Sequence, residues 1–94
     1  MSNIDSTLEK RGSKYGTFED NANTTQFLKE FFKTHSSWND MSRYQKESLE
    51  MIAHKIARIL NGDPDYDDSW IDIAGYATLV VKQLKREAED DDSK

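Results

Sequence analysis

The sequence predicts an all-α protein, a compact bundle of about four helices whose core is completed by oligomerisation. Apolar residues recur at helical spacing along most of the chain, and no segment alternates polar and apolar residues as a strand would. The 94 residues suit one domain. Hydrophobic residues make up only 35% and charged residues 33%, so a symmetric interface would hide apolar surface that one small chain cannot.

The first half of the chain predicts two helices. A short helix is expected over residues 3–13, where Ile4 and Leu8 stand one turn apart before a glycine. A second helix is expected from Phe18 to about His35, with Thr17 as its N-cap. Its apolar positions, which we expect to face the core, are Ala22, Phe27, Leu28, Phe31 and Phe32.

The centre of the chain predicts a connection and then a long helix. The segment Ser36–Met41 is polar apart from Trp38, which we expect to pack back on the core. Ser42 and Gln45 have the spacing of a capping box, which predicts a helix start, and the helix should run to Leu60. The expected buried stripe of this helix is Leu49, Ile52, Ala53, Ile56, Ile59 and Leu60.

The last helix is expected to begin near Asp68 or Ser69. Before it, Asn61 and Gly62 predict a left-handed helix stop. A glycine inside the last helix, Gly75, indicates the close approach of a crossing helix or a ligand. The expected apolar face is Trp70, Ile73, Ala74, Ala77, Val80, Val81 and Leu84. We therefore expect one helical domain over residues 1–86 and an acidic disordered tail over residues 87–94.

Composition excludes several classes of function. The chain has no cysteine, so it has neither a disulfide scaffold nor a thiolate metal site, and a reducing cytoplasm is expected. The N-terminus has no secretory h-region, and no segment approaches the roughly 20 apolar residues of a membrane span. The net charge of −5 argues against general nucleic-acid binding, which requires a clustered basic surface.

A polar stripe on the third long helix is the first candidate site. Glu50, His54 and Arg58 follow at four-residue steps, and Lys55 lies beside them. One interpretation is structural: a Glu50–His54 salt bridge, with Arg58 paired to an acid of the last helix, Asp68 or Asp72. A second is a phosphate site formed by His54, Lys55 and Arg58. A third is a Mg²⁺ site whose ligands would be Glu47, Glu50, Asp68 and Asp72.

The segment Arg11–Gly16 is a second candidate, since it places Arg11, Lys14 and Tyr15 next to glycines. The cations could hold phosphate, and the Tyr15 ring could stack on a base. The alternative is a turn between two helices with an anchored tyrosine, because the glycine spacing matches no phosphate-loop fingerprint.

Three segments carry a resemblance to a known family: Arg11–Phe18, Met51–Asp63 and Asp68–Ala77. Together they resemble a small all-α family of phage and prophage proteins of unassigned function. The resemblance covers roughly residues 11–84, and it implies a bacteriophage origin and action in the cytoplasm of an infected bacterium.

More distantly, the chain is similar to phage nucleotide-modification-associated domains and to MazG-type all-α nucleotide pyrophosphohydrolases. The latter hold Mg²⁺ with paired Glu-x-x-Glu and Glu-x-x-Asp turns on facing helices. Glu47 and Glu50 match the first turn, while Asp68 with Asp72, or Asp65 with Asp68, stand where the second would be.

Three functions follow as hypotheses. The first is a homo-oligomeric binding protein for a nucleotide or other phosphorylated small molecule, without a cofactor, which in a phage could sequester a host signal nucleotide as an anti-defence protein. Here His54, Lys55, Arg58, Arg11 and Lys14 would hold phosphate and Tyr15 would contact the base. The second is a Mg²⁺-dependent MazG-like pyrophosphohydrolase that uses the four acids listed above. The third is an inhibitor that presents an acidic helical face to a host protein.

Overall fold

Five helices joined by short turns make up the part of the chain that the computed structural model describes, which is the backbone of residues 2–92 and the side chains of 4, 7, 9 and 12–91. There is no strand within these residues, so the predicted all-α class is confirmed. None of the described helices is long and apolar enough to cross a membrane. The helices are α1 (Ser2–Tyr15), α2 (Phe18–Lys33), α3 (Ser36–Asp40), α4 (Arg43–Asn61) and α5 (Asp67–Asp92).

Both predicted N-caps are confirmed. The Thr17 side chain accepts a hydrogen bond from the Asp20 backbone N–H at 3.1 Å and begins α2. At the start of α4, the Gln45 backbone N–H donates to the Ser42 hydroxyl at 3.4 Å, and the Ser42 N–H donates to the Gln45 side chain at 2.9 Å. Side chains thus satisfy N–H groups that a helix start leaves unpaired, which fixes where each helix begins.

The segment after α2 is more regular than the sequence predicts. Instead of a plain connection, it forms the short helix α3, whose Trp38 is buried. The indole packs against the Phe32 ring at a centroid distance of 5.7 Å, and the Lys46 ammonium lies 5.8 Å from its centroid. The expected return of Trp38 to the core is therefore confirmed.

The predicted left-handed stop at Gly62 is wrong, because its φ is −121°. Glycine is needed there for another reason: the backbone between α1 and α2 lies directly against it. A Cβ at Gly62 would overlap the Lys14 carbonyl oxygen and lie 2.7 Å from the Gly16 nitrogen. The positive φ falls at Gly16, at 85°, where α1 turns into α2.

Helix α4 is the centre of a single layer of helices, with α2 packed on one side and α5 on the other. The end of α4 meets the start of α2, where the Asn61 amide donates to the Thr24 hydroxyl at 3.0 Å. The start of α4 meets the end of α5, where the Tyr44 hydroxyl donates to the Glu87 carboxylate at 3.1 Å. Both neighbours are therefore antiparallel to α4.

The C-terminal helix differs from its prediction at both ends. It starts one residue earlier than expected, at Asp67, and it continues to Asp92 where a disordered tail is expected. Glu87, in this acidic segment, accepts hydrogen bonds from Tyr44 and from Gln83, one turn earlier on α5. These contacts, together with the high helix propensity of glutamate and alanine, favour continuation of the helix.

The layer buries few large side chains. Among the described residues the buried hydrophobic ones are Trp38, Ala53 and Ala57. Many side chains predicted to be core are exposed instead. Seven of them share one side of the layer, which we call the apolar face: Phe27, Phe31, Leu49, Leu60, Trp70, Val81 and Leu84. The other part of the predicted stripes does pack within the layer: Ala53 is fully buried, and Phe32, Ile52 and Ile73 are half-buried. Periodicity therefore located the stripes, but one edge of each stripe points away from the layer.

Candidate ligand-binding site

The two candidate sites of the sequence meet in the folded chain. The Gly12–Gly16 segment at the end of α1 packs against the end of α4, and the Arg58 guanidinium carbon lies 4.8 Å from the centroid of the Tyr15 ring. This is the geometry of a cation–π contact. The turn between α1 and α2 and the last turn of α4 therefore form a single candidate site.

Hydrogen bonds to the backbone fix the position of this turn. The Asn21 amide donates to the Tyr15 carbonyl oxygen at 2.6 Å. The Asn61 amide in turn donates to the Asn21 side-chain oxygen at 3.2 Å. On the other side, the Asp63 backbone N–H donates to the Lys14 carbonyl oxygen at 2.9 Å. The end of α1 is thus tied both to α2 and to the α4–α5 loop.

The Tyr15 side chain is held in one orientation. Its hydroxyl donates to the Asp68 carboxylate at 3.1 Å, and its ring meets the Tyr66 ring edge to face at 5.6 Å. A side-chain hydrogen bond with Tyr66, partial burial and the neighbouring Asp68 raise the pKa of Tyr15 to about 12. The phenol therefore stays neutral in every physiological condition, and its ring remains a neutral surface under the Arg58 guanidinium.

A cavity of about 540 Å³ opens beside this pair. Its size is within the range of small-molecule sites, about 300–1,000 Å³. Its described lining is mostly apolar or uncharged, and Arg58 is the one charged side chain among the described residues that line it. The lining residues are Gly12, Tyr15, Gly16, Thr17, Phe18, Asn21 and Arg58.

The Arg58 side chain has no carboxylate partner among the described residues. The predicted structural partners are engaged elsewhere: Asp72 forms a salt bridge with Lys55 at 3.0 Å, and Asp68 accepts from Tyr15. Lys55–Asp72 is the one salt bridge between described side chains, so the predicted Glu50–His54 pair is not formed either. Arg58 is the cation of the stripe that remains available to an anion.

Three of the other predicted phosphate ligands, Lys14, His54 and Lys55, do not line the cavity. Lys55 is neutralised by Asp72, and the Lys14 ammonium lies 4.9 Å from the centroid of the Tyr66 ring. His54 does not line the cavity, and partial burial together with the charges of Lys29, Arg58 and Lys55 lowers its pKa. The Arg11 side chain lies outside the described residues.

The predicted metal ligands do not assemble. Within the described residues no three acidic, histidine or cysteine side chains come together as metal ligands would. Asp68 and Asp72 are engaged with Tyr15 and Lys55, and Glu47 is exposed on α4. The predicted four-carboxylate Mg²⁺ site is therefore not formed in the described chain.

Sequence reasoning missed Phe18 and Asn21. Phe18, the first residue of α2, is 89% exposed and lines the cavity. At the first helical position, a large aromatic side chain has no preceding helical turn to pack against. The sequence therefore contained a signal for an exposed ring at Phe18, because Phe18 directly follows the predicted N-cap. Asn21 had no such signal, because its role depends on where α1 ends in space.

Fold and site together define a small all-α protein with an aromatic cavity, lined by an arginine that has no carboxylate partner among the described residues. The chain belongs to a family described as a domain of unknown function, DUF6378, whose model matches residues 2–84. No curated protein and no solved structure gives a significant match to this chain.

Proposed function

We propose that this protein binds a nucleotide or another phosphorylated small molecule in the cavity beside Arg58. The observation that carries the proposal is the position of the Arg58 guanidinium, which lines an aromatic cavity without a carboxylate partner among the described residues. A guanidinium presents a planar fork that matches two phosphate oxygens. A partly buried cation without a counter-charge is unfavourable, so an anionic ligand would stabilise it.

The aromatic lining supports a ligand with a planar apolar part. Phe18 is exposed at the edge of the cavity, where its ring offers a stacking surface for a base. Tyr15 already has Arg58 over its ring, so we assign the base contact to Phe18 and give Tyr15 the task of positioning the guanidinium. This changes the role that the sequence suggested for Tyr15.

The biological role that we propose rests on the resemblance to phage and prophage proteins. A small binding protein made in an infected cell could lower the free concentration of a host signal nucleotide without catalysing any reaction. Cyclic dinucleotides and cyclic ADP-ribose species therefore belong in the ligand panel, beside nucleoside triphosphates and diphosphates.

The test is a thermal-shift screen against this panel, with and without Mg²⁺, followed by calorimetric titration of each ligand that raises the melting temperature. We expect Arg58→Ala to weaken binding roughly 10–150-fold, the cost of one charge-assisted interaction. Arg58→Lys should recover part of this loss because it keeps the charge but not the fork. Phe18→Ala should weaken binding of nucleotides but not of inorganic phosphate.

Arg43→Ala is the matched control, because Arg43 is exposed at the other end of α4. It should bind the ligand as the wild type does. The proposal is overturned if no member of the panel raises the melting temperature, or if Arg43→Ala and Arg58→Ala lose equal affinity. A shift that requires Mg²⁺, accompanied by release of pyrophosphate, would favour the hydrolase instead.

A further inference from the structure

The apolar face has no counterpart within the described chain. Domains normally consist of at least two packed layers of secondary structure, because an amphipathic helix must bury its stripe against another element. Here α2, α4 and α5 form one layer, with α4 in the middle. One side of that layer carries the candidate site, and the other carries exposed phenylalanine, leucine, tryptophan and valine side chains.

Helical periodicity and the observed contacts both place the candidate site on one side of the layer and the apolar face on the other. On α4, Arg58 points to the Tyr15 side of the layer, while Leu49 and Leu60 lie about half a turn away around the helix axis. On α5, Asp68 meets Tyr15 on the site side, and Trp70 and Val81 again lie about half a turn away.

On α2, Phe27 and Phe31 are one turn apart. They lie about half a turn around the helix axis from Phe18, which lines the cavity on the site side. The three stripes therefore form one continuous surface rather than three separate patches.

We infer that the apolar face is a homodimer interface, covered by the same face of a second copy of this chain. A second identical layer supplies the missing partner for all three stripes at once, in an isologous contact. A second layer also supplies a core of large side chains, which the single layer lacks. Two of the three buried hydrophobic residues described are alanines, Ala53 and Ala57.

The exposed apolar area of the apolar face is about the area that one partner buries in a homodimer. Phe27, Phe31 and Trp70 are 67%, 53% and 53% exposed, so at about 200 Å² per aromatic side chain they expose roughly 350 Å². Leu49, Leu60, Val81 and Leu84 are 36%, 68%, 47% and 44% exposed and add roughly 200 Å², at about 100 Å² per aliphatic side chain.

Each partner of a standard interface buries about 800 Å², of which about 65% is apolar in homodimers, or roughly 520 Å². The apolar face therefore has about the area that one partner of a stable dimer contributes. In such a dimer both cavities lie on the outside, so each chain can take up a ligand independently of the other.

The test compares two leucines of similar exposure on opposite sides of the layer, Leu60 at 68% and Leu79 at 60%. Leu79 lies on α5 beside Gly75 and Asp72, on the site side. The wild type, Leu60→Lys and Leu79→Lys are measured by light scattering and sedimentation over a wide range of protein concentration. The wild type should have about twice the 10.9 kDa mass of one chain.

Leu60→Lys should raise the dissociation constant of the dimer at least about 100-fold, because each substitution acts twice in an isologous interface. Leu79→Lys should leave the dissociation constant unchanged. Far-UV circular dichroism checks that each variant is helical, and Phe27→Lys repeats the test at a second exposed position if Leu60→Lys unfolds. The inference is overturned by a monomeric wild type, by equal dissociation of both leucine variants, or by a larger assembly that Leu60→Lys leaves intact.

Discussion

Replacing Gly62 with alanine should destabilise the protein strongly, because the new methyl group has no room. It would lie 2.6 Å from the Tyr15 carbonyl carbon and 2.7 Å from the Gly16 nitrogen, and neither backbone atom can rotate away as a side chain would. Overpacking of this kind costs about 1–3 kcal/mol. Moving the turn would also weaken the 2.9 Å hydrogen bond from Asp63 to Lys14, a further cost of about 1 kcal/mol.

The free energy of unfolding should therefore fall by roughly 2–4 kcal/mol, which corresponds to a melting temperature lower by at least about 8 °C in a domain of this size. Gly75→Ala is the matched control. A Cβ there meets no described atom within 4 Å, so the helix propensity of alanine should raise the free energy of unfolding by about 0.5–1 kcal/mol.

Urea unfolding and thermal melts of the two alanine variants measure both effects. The free energy of unfolding should fall in Gly62→Ala and rise in Gly75→Ala. A Gly62→Ala protein as stable as the wild type would refute the close approach of the α1–α2 turn to the end of α4. A destabilised Gly75→Ala protein would show that something packs on that side of α5 after all. Because Gly62→Ala displaces Tyr15, it should also weaken any ligand that Arg58 binds.

Three further predictions follow from the structure. The raised pKa of Tyr15, about 12 against an ordinary 10.0, favours the neutral phenol in the folded state. The contribution of the neutral phenol to stability is complete below pH about 10 and is lost as the pH rises towards 12. Ultraviolet titration should find a late phenol that Tyr15→Phe removes. Thr25→Val should raise the free energy of unfolding by about 1 kcal/mol, since the Thr25 hydroxyl is buried without a hydrogen-bond partner among the described residues. Ser42→Ala should lower it by about 1 kcal/mol, through loss of the capping box.

Each of these predictions has an outcome that contradicts it. A high-pH titration curve that Tyr15→Phe leaves unchanged would mean that the Tyr15 environment is more open than described. A destabilised Thr25→Val would mean that the hydroxyl has a partner in solution. An unchanged melting temperature for Ser42→Ala would mean that α4 starts elsewhere.

The helices were predictable because their signals are local. Thr17 and Ser42 each satisfy backbone groups within three residues, so the sequence contains the whole interaction. The stop at Gly62 was misread for the opposite reason. Its glycine is required by Lys14 and Gly16, which are more than forty positions away along the chain, and no local pattern reports such a contact.

The core was mispredicted because periodicity identifies an apolar stripe but not what covers it. Leu60 and Ala57 both belong to the apolar residues of α4, yet Ala57 is fully buried and Leu60 is mostly exposed. The layer packs α4 through Ala53 and Ala57, which allow close helix approach, and the isoleucines of α4 are half-buried beside them. Leu49 and Leu60 remain exposed. Periodicity therefore assigned Leu60, Phe27 and Trp70 to the core, whereas the described chain leaves all three exposed.

The candidate site was visible in the sequence only as two halves. Tyr15 and Arg58 each stood out within their own segment, but their contact depends on the docking of α1 against the end of α4. Lys55 looked as well placed as Arg58 until the register of α4 and α5 gave it Asp72 as a partner. Contacts between helices thus decide which cation of the polar stripe is paired with a carboxylate and which can bind an anionic ligand.

The end of α4 brings these separate functions together. Arg58 faces the cavity, Leu60 belongs to the apolar face, Asn61 holds the start of α2, and Gly62 accommodates the end of α1. Successive positions of a helix point in different directions, so one rigid turn can meet a ligand, a second chain and two neighbouring helices without these contacts competing. A substitution in this turn should therefore be diagnosed by which of the four contacts it loses: Arg58→Ala should lose the ligand and keep the dimer, while Leu60→Lys should lose the dimer and keep the ligand.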